Sequence, residues 1–225
     1  MNKTLVKKFG SGLLDALIPV ILAFSIGAIA ILLAGENPLS TYWVLFSRVF
    51  LNFKGFLHTL HFAGPLILTG LAIAISFKAG FFNMGVEGQV LVGGFAVAIF
   101  AIRFAYLPIG VLIPLCLLIG MIAGILTAMI PGLLKAYFNV NELVVTLLLN
   151  YAIFKALEFL TSTVFRDPSA SHVSTHMIGA NAIIRRLGDT RLTLFFFVAL
   201  IAFIIMWFVF NRSKLGYEIT AIGKN

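Results

Sequence analysis

One stretch between two long apolar runs, Lys78–Gln89, read KAGFFNMGVEGQ, packs glycines, amides, an acid and two aromatics together. Asn83 and Gln89 supply amides, Glu87 a carboxylate, and Phe81 and Phe82 two adjacent rings. Amides offer paired donors and acceptors, and aromatic faces stack or pack. Gly80, Gly85 and Gly88 release the backbone from a regular helix. Such a stretch is either a tight polar hairpin at a surface or a break that lines a passage. Farther along, an apolar run holds Asn150, Lys155 and Glu158. The last two are three apart and meet on one helical face, as an ion pair near the helix end or as groups along a path. His172 and His176 sit four apart beside Pro168, Ser and Thr, a loop composition with no further metal ligand in place. No metal site is expected.

Other chemistries lack their residues. There is no GxxxxGK[ST] phosphate loop, since Gly223-Lys224 has no upstream glycine at the required spacing. There is no HExxH, no CxxC and no serine nucleophile elbow, and Glu87 and Glu142 are not spaced as an acid/base pair. Cys116 is alone inside an apolar run. The chain is not expected to be an enzyme or to bind a cofactor.

The elements that position these groups follow from composition. Hydrophobic residues make up 61% of the 225 and charged residues 11%. A soluble domain carries about 25% charged residues, so the expected class is an all-α, polytopic membrane protein. The net charge of +8 forms no face that would grip nucleic acid; the cations are spread among loops, where they act as topology signals facing the lipid bilayer. Six spans are expected: Ala16–Ala34, Phe62–Phe77, Val90–Leu107, Ile109–Ile130, Leu143–Leu160 and Leu192–Phe210. The first covers roughly 28 Å, more than the short apolar core of a signal peptide. Residues 35–61, with Tyr42, Trp43, Phe46 and Phe50 at helical spacing, are expected as an external amphipathic segment, and 161–191 as an external loop. Pro65 falls in the first turn of the second span, and Pro131-Gly132 ends the fourth. Gly70, Gly120 and Gly124 are the expected helix-packing positions.

Six spans put both termini on one side. Lys3, Lys7, Lys8, Lys78, Lys135, Arg212, Lys214 and Lys224 then share it, against Arg48, Lys54, Arg103, Arg166, Arg185, Arg186 and Arg191. The short connections and chain ends carry the first set, which makes that side cytoplasmic. Packed helices with a few interior polar groups suit transport.

Three segments carry a family resemblance. LTGLAIAISFKAGFFNMGVEGQ (Leu68–Gln89), NVNELVVTLLLNY (Asn139–Tyr151) and GYEITAIGKN (Gly216–Asn225) occur in that order. Together they resemble bacterial ABC importer permeases of the branched-chain amino acid/ribose superfamily, in the branch that imports nucleosides and simple sugars with a BMP-type lipoprotein receptor. The resemblance implies one permease domain over 1–225 in the bacterial cytoplasmic membrane. It implies ABC ATPase subunits that bind ATP and magnesium, a second permease subunit and an extracytoplasmic lipoprotein receptor as partners. It implies that 211–225 precedes a coupling helix, with Gly216, Tyr217 and Glu218 near the partner contact. Family members usually continue with several more spans, so an amino-terminal portion is expected. On this reading Phe81, Phe82, Asn83, Glu87, Gln89 and Asn150 are the candidate solute path, their amides suited to a nucleoside or sugar. Two other readings stay open: an ion-coupled transporter or channel using Glu87, Lys155 and Glu158, and a membrane scaffold in which the break is only a turn.

Overall fold

The structure, a computed structural model, describes residues 3–184 and 186–224, with side chains from residue 17 onward. Arg185, from the charge count above, and Asn225, the end of the third segment, lie outside the described residues. So do the side chains of Lys3, Lys7 and Lys8. Among the described residues the regular elements are helices, with one isolated bridge between Arg186 and Thr193, and residues 163–194 are largely irregular. It divides into two compact units, one ending at Thr59 and one beginning at Leu60.

The first unit holds α1 (Lys3–Leu33), α2 (Pro38–Phe46) and a π turn over Ser47–Leu51. Asn37 caps α2 by accepting the Leu39 N–H at 2.9 Å, with Pro38 in the first turn, where no N–H is needed. Leu17–Leu33 and Pro38–Leu51 meet at 120°, and together they are long and apolar enough for one broken span. Tyr42 ties the bend: its hydroxyl donates to the Phe24 carbonyl at 2.6 Å, and its ring meets Phe24 edge-on at 5.1 Å. Gly27 leaves the room, because a Cβ there would lie 2.7 Å from that hydroxyl.

Residues 35–61 fold as more than one helical element. The first part folds as α2 and the π turn, and the last part opens α3 (Phe53–Lys78). Since α3 starts at Phe53 and not Phe62, Pro65 lies in the helix interior. The helix continues through it, as membrane helices do where neighbouring groups take up the freed carbonyl. Pro131 repeats this. α5 (Ile109–Phe138) runs through Pro131 and Gly132, with Pro131 fully buried, and stops only where Asn139 adopts a left-handed conformation (φ 49°). Asparagine tolerates that region, and proline does not reach it. The connection that follows is only three residues, 139–141, the last of which, Asn141, caps α6 (Glu142–Ser162).

The second unit contains most of α3, then α4 (Val86–Arg103), α5, α6, α7 (Phe195–Arg212) and the short α8 (Lys214–Ile222). Five helices, α3 to α7, are long and apolar enough to cross a membrane, or six spans with the bent pair counted as one. At about 1.5 Å per residue, α3 and α5 run roughly 39 and 45 Å, beyond a hydrocarbon layer of about 30 Å. α4 packs most extensively on α5. Gly93 and Gly120 face each other there: a Cβ on Gly93 would lie 3.2 Å from the Gly120 carbonyl. Ala101, Leu112 and Cys116 form the buried centre of that contact, covered by Phe100, Phe104 and Ala182. Exposed large apolar side chains cover the rest of the spans, the surface that lipid requires.

Candidate functional site

The break is the irregular backbone between Lys78, the end of α3, and Val86, the start of α4. Its polar backbone groups find partners on α6. Thr146 Oγ1 accepts the Met84 N–H at 3.2 Å. The Asn150 side chain makes two bonds at once: Nδ2 donates to the Met84 carbonyl at 2.8 Å, and Oδ1 accepts the Gly88 N–H at 2.9 Å. Asn83, itself buried, turns inward and accepts the Gly85 N–H at 2.8 Å, and Gln89 Nε2 reaches the same oxygen at 3.4 Å. Glu142, the first residue of α6, pairs with Lys135 at 3.0 Å.

Glycine permits the approach. A Cβ on Gly88 would lie 2.7 Å from Asn150 Oδ1 and 2.9 Å from Ile153. On Gly85 it would meet Asn83 Oδ1 at 3.0 Å and Thr146 at 3.3 Å. Thr146 and Asn150 lie about 6 and 12 Å along α6 from Glu142, so the break enters the bundle by two helical turns. Irregular backbone inside a membrane protein is tolerated where protein groups satisfy it, and here neutral amides and a hydroxyl do so.

Sequence reasoning named Asn83, Gln89 and Asn150, and the structure brings these three together. It did not name Thr146, which sits one turn before Asn150 on the same face of α6; the i, i+4 spacing was the available signal. Phe82 is exposed and meets Phe77 edge-on at 5.1 Å, Phe81 is half-buried, and Glu87 points outward from the first turn of α4. Lys155 and Glu158 pair with each other at 2.8 Å on an exposed face.

Gln89 also faces a different space. A cavity of about 440 Å³ lies between α3, α4 and α5 and reaches the segment before α7. Among the described residues, Gln89 and Thr69 are the polar side chains of its wall, which is otherwise apolar and uncharged. Gly120 and Gly124 line it, and around Gly124, as around Gly70, no other atom stands where a Cβ would point. At the end remote from the break, a second cavity of about 560 Å³ shares Ile184 and Phe195 with the first and is edged by His61, Arg186 and Arg191.

The segment after α7 closes back on the break. Ser213 caps α8 by accepting the Gly216 N–H at 3.2 Å, and buried Gly216 lies directly against the Val209 carbonyl. Gly223 sits against the Lys78 carbonyl, and a Cβ on Gly80 (φ 74°) would lie 3.0 Å from Gly223 Cα. Lys78 Nζ stands 4.5 Å above the Phe210 ring. Tyr217 and Glu218 point outward and are exposed.

A set of long apolar helices, interrupted between α3 and α4 by an amide-held loop and hollowed beside it, defines a polytopic membrane protein with an interior groove. Residues 55–225 match the family described as branched-chain amino acid transport system / permease component, and the chain belongs to that family. It is thus a permease component and not an enzyme. It is 34% identical over 218 residues to the nucleoside ABC transporter permease protein NupB of Lactococcus lactis, covering 93% of this chain and 60% of that one. It is 37% identical over 218 residues to the guanosine ABC transporter permease protein NupP of Bacillus subtilis, covering 96% and 62%. It is 31% identical over 219 residues to the glucose ABC transporter permease protein TsgB13 of Haloferax volcanii, covering 92% and 57%. The chain thus spans about 60% of the length of these relatives. No solved structure matches it.

Proposed function

We propose that this chain forms the membrane-spanning part of an ABC importer permease that carries a nucleoside or simple sugar across the bacterial cytoplasmic membrane. The observation that carries the solute class is the groove wall, uncharged among the described residues, with Gln89 and Thr69 as its polar groups. An amide and a hydroxyl match hydroxylated or heterocyclic neutral solutes, and apolar walls pack on a base or ring face. The relatives named for nucleosides, guanosine and glucose support the same class. Asn83 and Asn150 fix the break and thereby the end of the groove, with Gln89 as the solute contact. Phe81, Phe82 and Glu87 lie at the break-side entrance.

The energy comes from outside the chain. ATPase subunits bind ATP and magnesium, a second permease subunit completes the passage, and an extracytoplasmic receptor selects the solute. Both termini face the cytoplasm, where exposed Tyr217 and Glu218 on α8 meet the partner, with buried Gly216 letting α8 fold against α7. Movement of α8 reaches the break through the Gly223 contact with Lys78 and Gly80. The test is uptake of labelled guanosine and glucose at limiting concentration by cells expressing the full-length permease with its partners. Gln89→Ala is expected to lower uptake about tenfold through the loss of a polar contact. Uptake that survives loss of the ATPase and collapses with the ion gradient would overturn this reading.

A further inference from the structure

The end of the bundle remote from the break carries a small cavity of about 180 Å³ between the last turn of α4 and the segment after α6. Its floor is apolar, with Ile99, Ile102 and Phe165. Its rim is polar and cationic, with Arg103, Arg166, Thr175 and His176. The site is built by two devices. The Phe165 ring meets Phe95 of α4 edge-on at 5.5 Å, which holds the start of the loop against α4. Asp167 then closes the turn: its N–H donates to the Ser174 carbonyl at 2.8 Å, and its carboxylate accepts the Ser169 N–H at 2.9 Å and hydroxyl at 2.6 Å. The other carboxylate oxygen lies 3.5 Å from His176 Nδ1. Thr175 and His176 are thereby returned to the side of Arg166.

The charges do not balance. Asp167 faces His176, and among the described residues neither Arg103 nor Arg166 has an acidic partner. Arg103 and Arg166 line one small hollow, and an anion bound there would offset their like charge. Guanidinium forks fit phosphate oxygens two at a time. Arg103 is the last residue of α4, and Arg166 follows closely after Ser162, the last residue of α6. Both therefore stand where two apolar spans end. Directly beneath them the floor offers hydrocarbon surface, and Val164 beside it is 64% exposed. A free anion has no use for that floor, whereas an acyl chain does.

We propose that Arg103 and Arg166, with the Thr175 hydroxyl, bind a phosphate group, and that its source is the headgroup of an anionic phospholipid whose chain lies along Ile99, Ile102 and Val164. The site lies apart from the solute groove and does not depend on the solute. It is tested with the full-length permease in its complex, purified in detergent and supplied with phosphatidylglycerol, phosphatidylcholine or inorganic phosphate. Wild type is expected to retain phosphatidylglycerol in native mass spectrometry and to melt at a higher temperature with it than with phosphatidylcholine. Arg103→Gln/Arg166→Gln should lower that retention about tenfold or more, from the loss of charge-assisted bonds. Arg212→Gln/Lys214→Gln, which removes the same charge at the break end, should leave it unchanged. Arg103→Lys/Arg166→Lys keeps charge without the forks and should fall between, which separates binding from folding. Stabilisation by inorganic phosphate alone, lost in the same Gln pair, would keep the phosphate site and overturn the lipid as its source. Equal retention of phosphatidylglycerol by wild type and the Arg103/Arg166 variants would overturn the site.

Discussion

The two ends of α4 handle polarity in opposite ways. At its start, the break is held by neutral groups, with Asn150 and Thr146 of α6 and Asn83 of the break itself pairing with backbone donors and acceptors at 2.8 to 3.2 Å. At its end, Arg103 joins a loop held by a carboxylate and edged by further cations. The difference follows from the solvent each end meets. Two turns inside a bundle, a charge is costly to desolvate while an amide can satisfy two backbone groups at once. Where spans end, charge is stable, and long cationic side chains reach the headgroups. The break end is thus rigid by steric fit and hydrogen bonding, and the other end is organised by electrostatics.

That contrast fixes an order of sensitivities. The largest effect is expected from Gly88→Val. Its Cβ would collide with Asn150 Oδ1 and Ile153, so the substitution overpacks the contact and also displaces the amide. The combined cost should be about 3 kcal/mol or more, read as a large drop in melting temperature in detergent. Gly94→Ala, on the same helix with open space around it, should change little. If the two variants melted alike, α4 and α6 would not touch as described.

Asn150→Leu comes next. It leaves the Met84 carbonyl and the Gly88 N–H unpaired, at roughly 1–3 kcal/mol for each buried group. Asn150→Asp keeps an acceptor for Gly88 but sets a carboxylate oxygen against the Met84 carbonyl and brings a charge to the break, so it should be no milder than Leu at neutral pH and should recover part of the loss as the carboxyl is protonated. An Asn150→Leu protein as stable as wild type would mean that water reaches the break. Below these stands the Lys135–Glu142 pair, whose side chains are 39% and 11% exposed. A double-mutant cycle should give a coupling of about 1 kcal/mol or less, falling with added salt. A coupling that ignores salt would place the pair away from water.

The helical class, the sites of most spans and the polar break were legible because apolar runs and glycine-rich interruptions are one-dimensional signals. Helix limits at proline were not. Pro65 and Pro131 both read as helix boundaries, yet both lie inside helices, since their effect depends on neighbours that satisfy the freed carbonyls. The role of Asn150 was half legible. Its polarity marked it, but its two bonds run to residues 66 and 62 positions away, and no local pattern encodes that pairing. The return of Gly223 to Lys78 was invisible for the same reason.

The smallest effect separates the two ends by pH. The Ser169 hydroxyl and N–H, and then the His176 imidazole, hold the Asp167 carboxyl below the ordinary carboxylate range. A carboxyl with a lowered folded value adds order that is fully present above its unfolded value, near pH ~3.9, and is lost as pH falls through the lower folded value. Protection of the Ser169 amide from hydrogen exchange should therefore hold from neutral pH to about 4 and weaken below it. Asp167→Asn keeps an acceptor for Ser169 without the titration, so its profile should be flat. The Gly88 amide bonds to neutral Asn150, and its protection should not change over the same range. If Ser169 and Gly88 lost protection together, the loss would report global unfolding, and the separation between the carboxylate-held loop and the amide-held break would fail.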